Sequence, residues 1–262
     1  VSKLDVGSRR HVVGVVTAAG SGQRLGYDIP KALVELVPGQ ADTALVVMAV
    51  NRIAQVTGMQ RVVVTAPDTH VRQVKQLLCQ HGPHHVTVDV VSGSTTRQAS
   101  VAAGLAALAA HHPPGDAGTE RVVLVHDAAR PLTPTRVMDE LVTTVLTGHV
   151  GVIPVLPVTD SLVSVTTDAT HEFAQVTGVV PRSSMRRVQT PQAFLWNVLV
   201  DAHERASTCA HDELHSYTDD SSVVAAAGHA IAAIDGSEYA VKITTPHDLS
   251  YARHLHTVEN SR

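Results

Sequence analysis

Short valine-rich apolar runs alternate along this chain with longer segments in which apolar residues return every three or four positions. The runs at 12–17, 61–65, 86–91, 121–126, 151–154, 230–234 and 239–242 predict strands. The segments 43–56, 69–80, 97–110, 134–146, 195–206, 219–227 and 246–256 predict helices. Strands that are apolar on both faces need cover on both faces. The expected fold is a three-layer, Rossmann-like α/β domain around a mainly parallel sheet. Ligands of such sheets gather beyond the carboxyl ends of the strands.

One stretch breaks the alternation. Residues 161–166 (SLVSVT) and 173–180 (FAQVTGVV) read as paired strands around Asp168-Ala169-Thr170-His171, with no helix between them. A β-arm over about 158–187 is therefore expected to project from the domain. A two-stranded ribbon alone has too little to pack against. A second copy of the chain is the simplest cover, which predicts a homodimer. Residues 1–10 are expected to form a flexible tail, residues 11–258 one domain, and HHPPGDAGT (111–119) a surface loop.

Composition narrows the function classes. With 262 residues, 44% hydrophobic and 17% charged, the chain can bury a full core. A net charge of −4 argues against non-specific nucleic-acid binding. No apolar run reaches the roughly 18 residues of a membrane span, and the first ten residues lack a signal-peptide core. Cys79 and Cys209 have no metal-ligand spacing. Together these features predict a cytoplasmic protein with plain thiols. The 17 histidines form no ligand pattern. Lysine is rare: only Lys3, Lys31, Lys75 and Lys242 occur, so a compact ammonium stands out where it is kept.

The richest stretch is VVGVVTAAGSGQRLGYDIPKALVEL, residues 12–36. A strand runs into the small residues Ala18, Ala19, Gly20, Ser21 and Gly22, and two cations follow, Arg24 and Lys31. Small residues let backbone N–H groups close on a ligand, and consecutive N–H groups suit phosphate. The alternative is an ordinary tight turn. The spacing matches neither Gly-x-x-x-x-Gly-Lys-Ser/Thr nor Gly-x-Gly-x-x-Gly with its downstream acid. A triphosphate grip of another kind is the expectation.

Three further motifs fall at or near predicted strand ends. In HDAARP, Asp127 is placed to hold magnesium on a nucleotide or to cap a turn, and Arg130 to bind a second anion or a surface carboxylate. In GSTTRQAS, Gly93, Ser94, Thr95 and Ser100 offer small and hydroxyl groups to a base or phosphate, unless Thr95 or Thr96 is simply a helix cap. Arg97 there sits in a first helical turn, where the dipole disfavours a cation, so a specific partner is expected. Lys242 lies in the apolar run YAVKIT, opposite Val241 and Ile243, and points to the cleft or to solvent.

AAGSGQRLGYDIPKAL, HDAARP, TPQAF and VKITTPHDL together resemble the 2-C-methyl-D-erythritol 4-phosphate cytidylyltransferase family over residues 11–256. The resemblance implies an α/β nucleotidyltransferase fold whose β-arm clasps a twin subunit. It implies transfer of CMP from CTP to methylerythritol phosphate, with a divalent cation such as Mg2+ and release of pyrophosphate. Arg24 and Lys31 would neutralise the CTP phosphates, and Asp127 would hold the metal. Arg182 on the partner's arm and Lys242 would grip the second substrate. Ala18, Ala19, Gly20, Gly93 and Ser100 would line the nucleotide site, with Ser21, Gly22, Ser94 and Thr95 beside them. Arg130, Thr190 and the hydroxyl of Ser161 would serve the second substrate. The chain departs from the family at Thr95 (often acidic), at Val163, where a nearby lysine is missing, and at Pro181, where an Asp is common. A cytidylyltransferase for another polyol phosphate, such as ribitol 5-phosphate, shares the same loop. A non-catalytic nucleotide-binding protein is the more distant alternative.

Overall fold

Successive valines of β1 (His11–Thr17) send alternate side chains to opposite faces of the sheet, as the two-residue period of a strand requires. Val12 and Val16 join one buried cluster, Val13 and Val15 the other. The same split recurs in β2 (Met59–Ala66) and β4 (Arg121–Asp127): Val62, Val64, Val122 and Leu124 face one side, Val63, Val123 and Val125 the other. The computed structural model describes residues 11–20, 22–111, 121–166, 173–212 and 214–261.

The remaining strands are β3 (Thr87–Ser92), β5 (Gly151–Pro157), β6 (Leu162–Thr166), β7 (Gln175–Val180), β8 (Arg186–Val188), β9 (Gln192–Leu195) and β10 (Ala232–Asp235). The main sheet runs β10-β5-β9-β4-β1-β2-β3, with β8 on β5. β1 to β4 pair in parallel, as do β5 and β10; β8 and β9 run antiparallel. Helices α1 (Leu45–Ala54), α2 (Val71–His81) and α4 (Thr135–Leu146) cover one face. Helices α3 (Arg97–Ala109), α5 (Trp196–Arg205) and α6 (Asp220–Ala226) cover the other. The predicted three-layer, mainly parallel α/β architecture is what is observed.

A third buried cluster fixes the site. Helix α7 (Pro246–Asn260) packs Leu249, Ala252 and Leu255 against Leu25, Val34, Leu36, Leu132 and Ile243. It begins at a capping box, in which the Thr245 hydroxyl accepts from Asp248 N while the Asp248 carboxylate takes the Thr245 N–H. The segment bearing Lys31 and the segment bearing Lys242 are thereby packed on one helix, although about 210 residues separate them.

The structure corrects the sequence reading in two places. Residues 239–242 are not a strand; Tyr239 lies in a turn and the rest of the run is irregular. Its apolar side chains serve the α7 cluster instead, and Ile243 N donates to Ala129 O at 2.8 Å. Strands β8 and β9 also form where no strand was expected, because three or four residues are too few to show a period. The arm strands do pair antiparallel, β6 with β7. The tail 1–10, most of the loop 111–119 and the arm turn at 168–171 lie outside the described residues.

Candidate active site

The carboxyl ends of β1 and β4 meet at Thr17 and Asp127, which are partners across the sheet. Beside them opens a cleft of about 200 Å³. Ala18, Ala19, Gly20, Lys31, Ser94, Thr95, Arg97, Ser100, Asp127 and Lys242 all line it, with Thr17, Ala32, Thr96, Ala128 and Ala129. Four distant stretches of sequence therefore converge on one volume.

Glycine permits two of the approaches. Gly22 has a φ of +71°, and a Cβ there would fall 2.6 Å from Lys31 Cβ. Any other residue would push the small-residue loop off the lysine that follows it. A Cβ on Gly93 would fall 2.5 Å from Ala19 Cβ, so this glycine lets the two nucleotide-side loops touch. The second loop is pinned by hydroxyls. Thr96 caps α3 by accepting from Ala99 N at 3.0 Å, and Ser100 Oγ accepts from Ser94 N at 2.9 Å. Of the two cap candidates in the sequence, Thr96 is the one used.

Asp127 is 5% exposed and both its oxygens are engaged. Arg97 Nε donates to Oδ1 at 3.0 Å and Lys242 Nζ to Oδ2 at 2.8 Å. Burial alone would raise the carboxyl pKa, but Arg97 and Lys242 outweigh it and hold the group well below the usual range. The Asp127 backbone N–H donates to Thr190 Oγ1 at 3.0 Å, and that hydroxyl lies 3.1 Å from His126 Nδ1. Burial pushes His126 down to about 4, so the imidazole is neutral at pH 7. Lys31 is also pushed down, first by burial and then by the positive charge of Lys242, with Arg24 and Arg130 adding to it and Asp127 opposing.

Other sequence candidates fall outside the lining. Arg24 is exposed on the loop leading to Lys31. Thr190 is buried beneath Asp127. Arg130 donates to Ala240 O at 2.6 Å and Val188 O at 3.3 Å, tying the foot of the arm to the Lys242 segment. Ser161 and Arg182 are exposed at the arm, where Arg182 donates to Thr159 O. Gly22 and Gly93 stand behind the lining. Ser21 lies outside the described residues. Sequence reasoning flagged Arg97 but gave it no place in the site, and it missed Asp220 and His203. Arg97 Nη1 pairs with Asp220 Oδ2 at 2.7 Å, and His203 Nε2 donates to Asp220 Oδ1 at 3.1 Å. The one signal for this cluster was a cation in a first helical turn.

A parallel sheet whose strand ends deliver small-residue backbone, fixed cations and one buried acid is the architecture of an α/β nucleotidyltransferase. Comparison with known proteins narrows this class. The family described as 2-C-methyl-D-erythritol 4-phosphate cytidylyltransferase matches residues 12–257. A protein of that name from Rhodococcus opacus is 40% identical over 247 residues, covering 94% of this chain and 96% of the relative. One from Rhodococcus jostii is 40% identical over 244 residues, covering 93% and 94%. The crystal structure of 2-C-methyl-D-erythritol 4-phosphate cytidylyltransferase from Thermus thermophilus aligns with a TM-score of 0.65 at 29% identity, over 94% of this chain and 98% of that one. A 4-diphosphocytidyl-2C-methyl-D-erythritol synthase structure from Anaerococcus prevotii shares the fold, with a TM-score of 0.71 at 21% identity over 95% and 100%. This chain belongs to the 2-C-methyl-D-erythritol 4-phosphate cytidylyltransferase family.

Proposed function

We propose that this protein transfers CMP from CTP to 2-C-methyl-D-erythritol 4-phosphate in the non-mevalonate route to isoprenoid precursors. The observation that carries the reading is the meeting of Lys31, Lys242 and Asp127 in one cleft beside the small-residue loop, in a chain of this family. An oxygen of the methylerythritol phosphate attacks the α-phosphorus of CTP. The bond from that phosphorus to the bridging oxygen breaks, and pyrophosphate leaves with the electron pair. The attacking phosphate is already anionic, so the step needs no general base. What it needs is alignment and positive charge where two anions meet.

Backbone N–H groups of Ala18, Ala19, Gly20 and Gly22 face the phosphates, and Arg24 and Lys31 neutralise the charge that builds on them. Ser94, Thr95 and Ser100, held by Gly93, flank the nucleoside. Lys242 leaves Asp127 to grip the incoming phosphate. Arg182 comes from the partner's arm, and Ser161 acts from the same arm. Arg130 and Thr190 support the second-substrate side, Arg130 through the Lys242 segment and Thr190 through Asp127. The donor set fits a magnesium ion carried in by the nucleotide. Asp127 is the sole acid lining the cleft, and the described residues contain no group of three His, Cys, Asp or Glu able to cage a metal alone. Magnesium commonly takes one or two carboxylates and fills its shell with phosphate oxygens and water. When bound, it would screen the triphosphate.

The protein acts in the cytoplasm as a homodimer. The arm exposes Val163, Val165, Val176 and Val179, the last at 79%, and such a face calls for a partner surface. Among the described residues, no helix is long and apolar enough to cross a membrane. Pyrophosphate release from CTP, measured with methylerythritol 4-phosphate and with ribitol 5-phosphate, tests the reading. Release with the first alone is the expected result. Release with ribitol 5-phosphate alone, or with neither, overturns it.

A further inference from the structure

We propose that Arg97 is the positioning residue of the Asp127 carboxylate, and that Asp220, backed by His203, keeps Arg97 in place. The inference rests on the function proposed above and extends it to residues behind the cleft. Arg97 opens α3, where the helix dipole disfavours a cation. Two carboxylates from different elements retain it: Asp127 at the end of β4 and Asp220 at the start of α6. Asp220 is 1% exposed, and it does not line the cleft. A charge buried that deeply is costly unless paired. Its partners here are Arg97 on one oxygen and His203, itself 5% exposed, on the other.

The fork geometry explains the choice of arginine. Nε reaches Asp127 while Nη1 reaches Asp220, at 3.0 and 2.7 Å. A lysine ammonium is a single point and cannot hold that planar bridge. With Oδ1 taken by Arg97 at 3.0 Å and more loosely by the Thr17 hydroxyl at 3.3 Å, Oδ2 is the oxygen presented to Lys242. Arg97 therefore decides which way Asp127 faces when nucleotide and cation arrive. The anchor behind it is itself fixed. Asp219 caps α6, accepting from Ser222 N at 2.9 Å, and Gln192 Nε2 donates to Asp219 Oδ2 at 2.9 Å.

The test uses the full chain and three readouts: steady-state kinetics, thermal unfolding, and Mn2+ binding to the enzyme–CTP complex followed by electron paramagnetic resonance. Arg97→Lys is expected to lower kcat at least tenfold, with KM for CTP within threefold of wild type, and to weaken Mn2+ binding at least threefold. Asp220→Asn should show the same signature at about fivefold in kcat. The double variant should be no worse than Arg97→Lys alone, because both act through one contact. His203→Gln keeps a donor toward Asp220 and should rescue the kcat that His203→Leu loses. Should Arg97→Lys fail to fold, Asp220→Asn and the His203 pair carry the same test. A raised KM for CTP with unchanged kcat would make Arg97 a direct nucleotide contact and overturn the proposal. So would additive losses in the double variant, or unaltered Mn2+ binding. If the wild-type protein itself releases no pyrophosphate with methylerythritol 4-phosphate, the proposed function fails instead, and Mn2+ binding still reports on Arg97.

Discussion

Replacing Lys31 with methionine should stabilise the apo fold and disable the enzyme at the same time. Lys31 is half-buried in a cleft that also holds Lys242, with Arg24 and Arg130 close enough to repel it, and Asp127 is the one attraction that opposes them. Burial and Lys242 together push its pKa below the usual 10.5. A lysine whose folded pKa is lowered binds its proton less tightly in the native state than in the unfolded chain. Below the folded pKa both states are protonated and the native state bears the full cost. As pH rises through the folded pKa toward 10.5, the unfolded chain holds more protons and stability climbs. At pH 7, removing the charge removes the cost.

Methionine keeps an unbranched apolar stem beside Gly22 and carries no ammonium. Relieving a strained active-site charge commonly gains about 1 kcal/mol, which for a chain of this size raises Tm by about 2–4 °C. The kinetic loss runs the other way. A cation facing developing phosphoryl charge is worth about a hundredfold or more, and a hundredfold is about 2.7 kcal/mol of barrier. Thermal unfolding without nucleotide, beside pyrophosphate release with CTP, reads both. CTP at about a hundred times its Kd stabilises the wild type by about 2.7 kcal/mol, so with nucleotide the Tm order should reverse. A methionine variant that melts lower without nucleotide would refute the reasoning, because Asp127 would then outweigh the repulsion. A near-normal kcat would remove Lys31 from the chemistry altogether.

Four further outcomes are expected. Lys242→Ala and Arg182→Ala should each raise KM for methylerythritol 4-phosphate at least tenfold and leave KM for CTP within about threefold, as initial-rate kinetics will show. Mixing Arg182→Ala protomers with Lys242→Ala protomers should restore part of the activity at low methylerythritol 4-phosphate if the arm serves the partner's cleft; a mixture as impaired as its two parents would count against a shared site. Gly93→Ala should raise KM for CTP, because the added Cβ would fall 2.5 Å from Ala19 Cβ, and calorimetric titration of CTP checks it. His126, at about 4 against 6.5 unfolded, should cost up to about 3 kcal/mol as pH falls from 6.5 to 4, and the pH dependence of urea unfolding should flatten in His126→Gln.

The sheet was legible because its strands are long, β-branched and apolar on both faces. The seven helices fell within a few residues of their predicted places because their apolar residues return every three or four positions; only α3, α6 and α7 add a side-chain cap at the start. Strands β8 and β9 escaped, since nothing in Arg186–Val188 or Gln192–Leu195 distinguishes a short antiparallel insertion from a loop. Residues 239–242 misled because Val241 and Ile243 look like strand residues while packing toward helix α7. At the site, residues in the small-residue loop, HDAARP and GSTTRQAS were found because each follows a strand. Asp220 and His203 were not, because they touch the cleft only through Arg97, and a contact made across 123 residues leaves no local pattern.

That division has a physical cause. Much of the cleft lining sits where the backbone ends a strand, and strand ends can be read from periodicity. A residue that holds another side chain answers only to three-dimensional distance. The chain carries a net charge of −4, yet Lys31, Arg97, Arg130 and Lys242 gather around the two buried carboxylates Asp127 and Asp220, with Arg24 near Lys31. Such a cluster is held against its own repulsion by the packing of α7 and by those two carboxylates. On the proposed function, two phosphate-bearing substrates complete the balance. If the cluster exists for that purpose, removing one cation at a time should trade catalysis for apo stability at Lys31, where burial dominates, and not at Arg24, which stands exposed. Thermal unfolding of Lys31→Met beside Arg24→Met measures this directly. Two variants that melt alike would mean that the cations repel too weakly for the site's charge to have been set by its ligands.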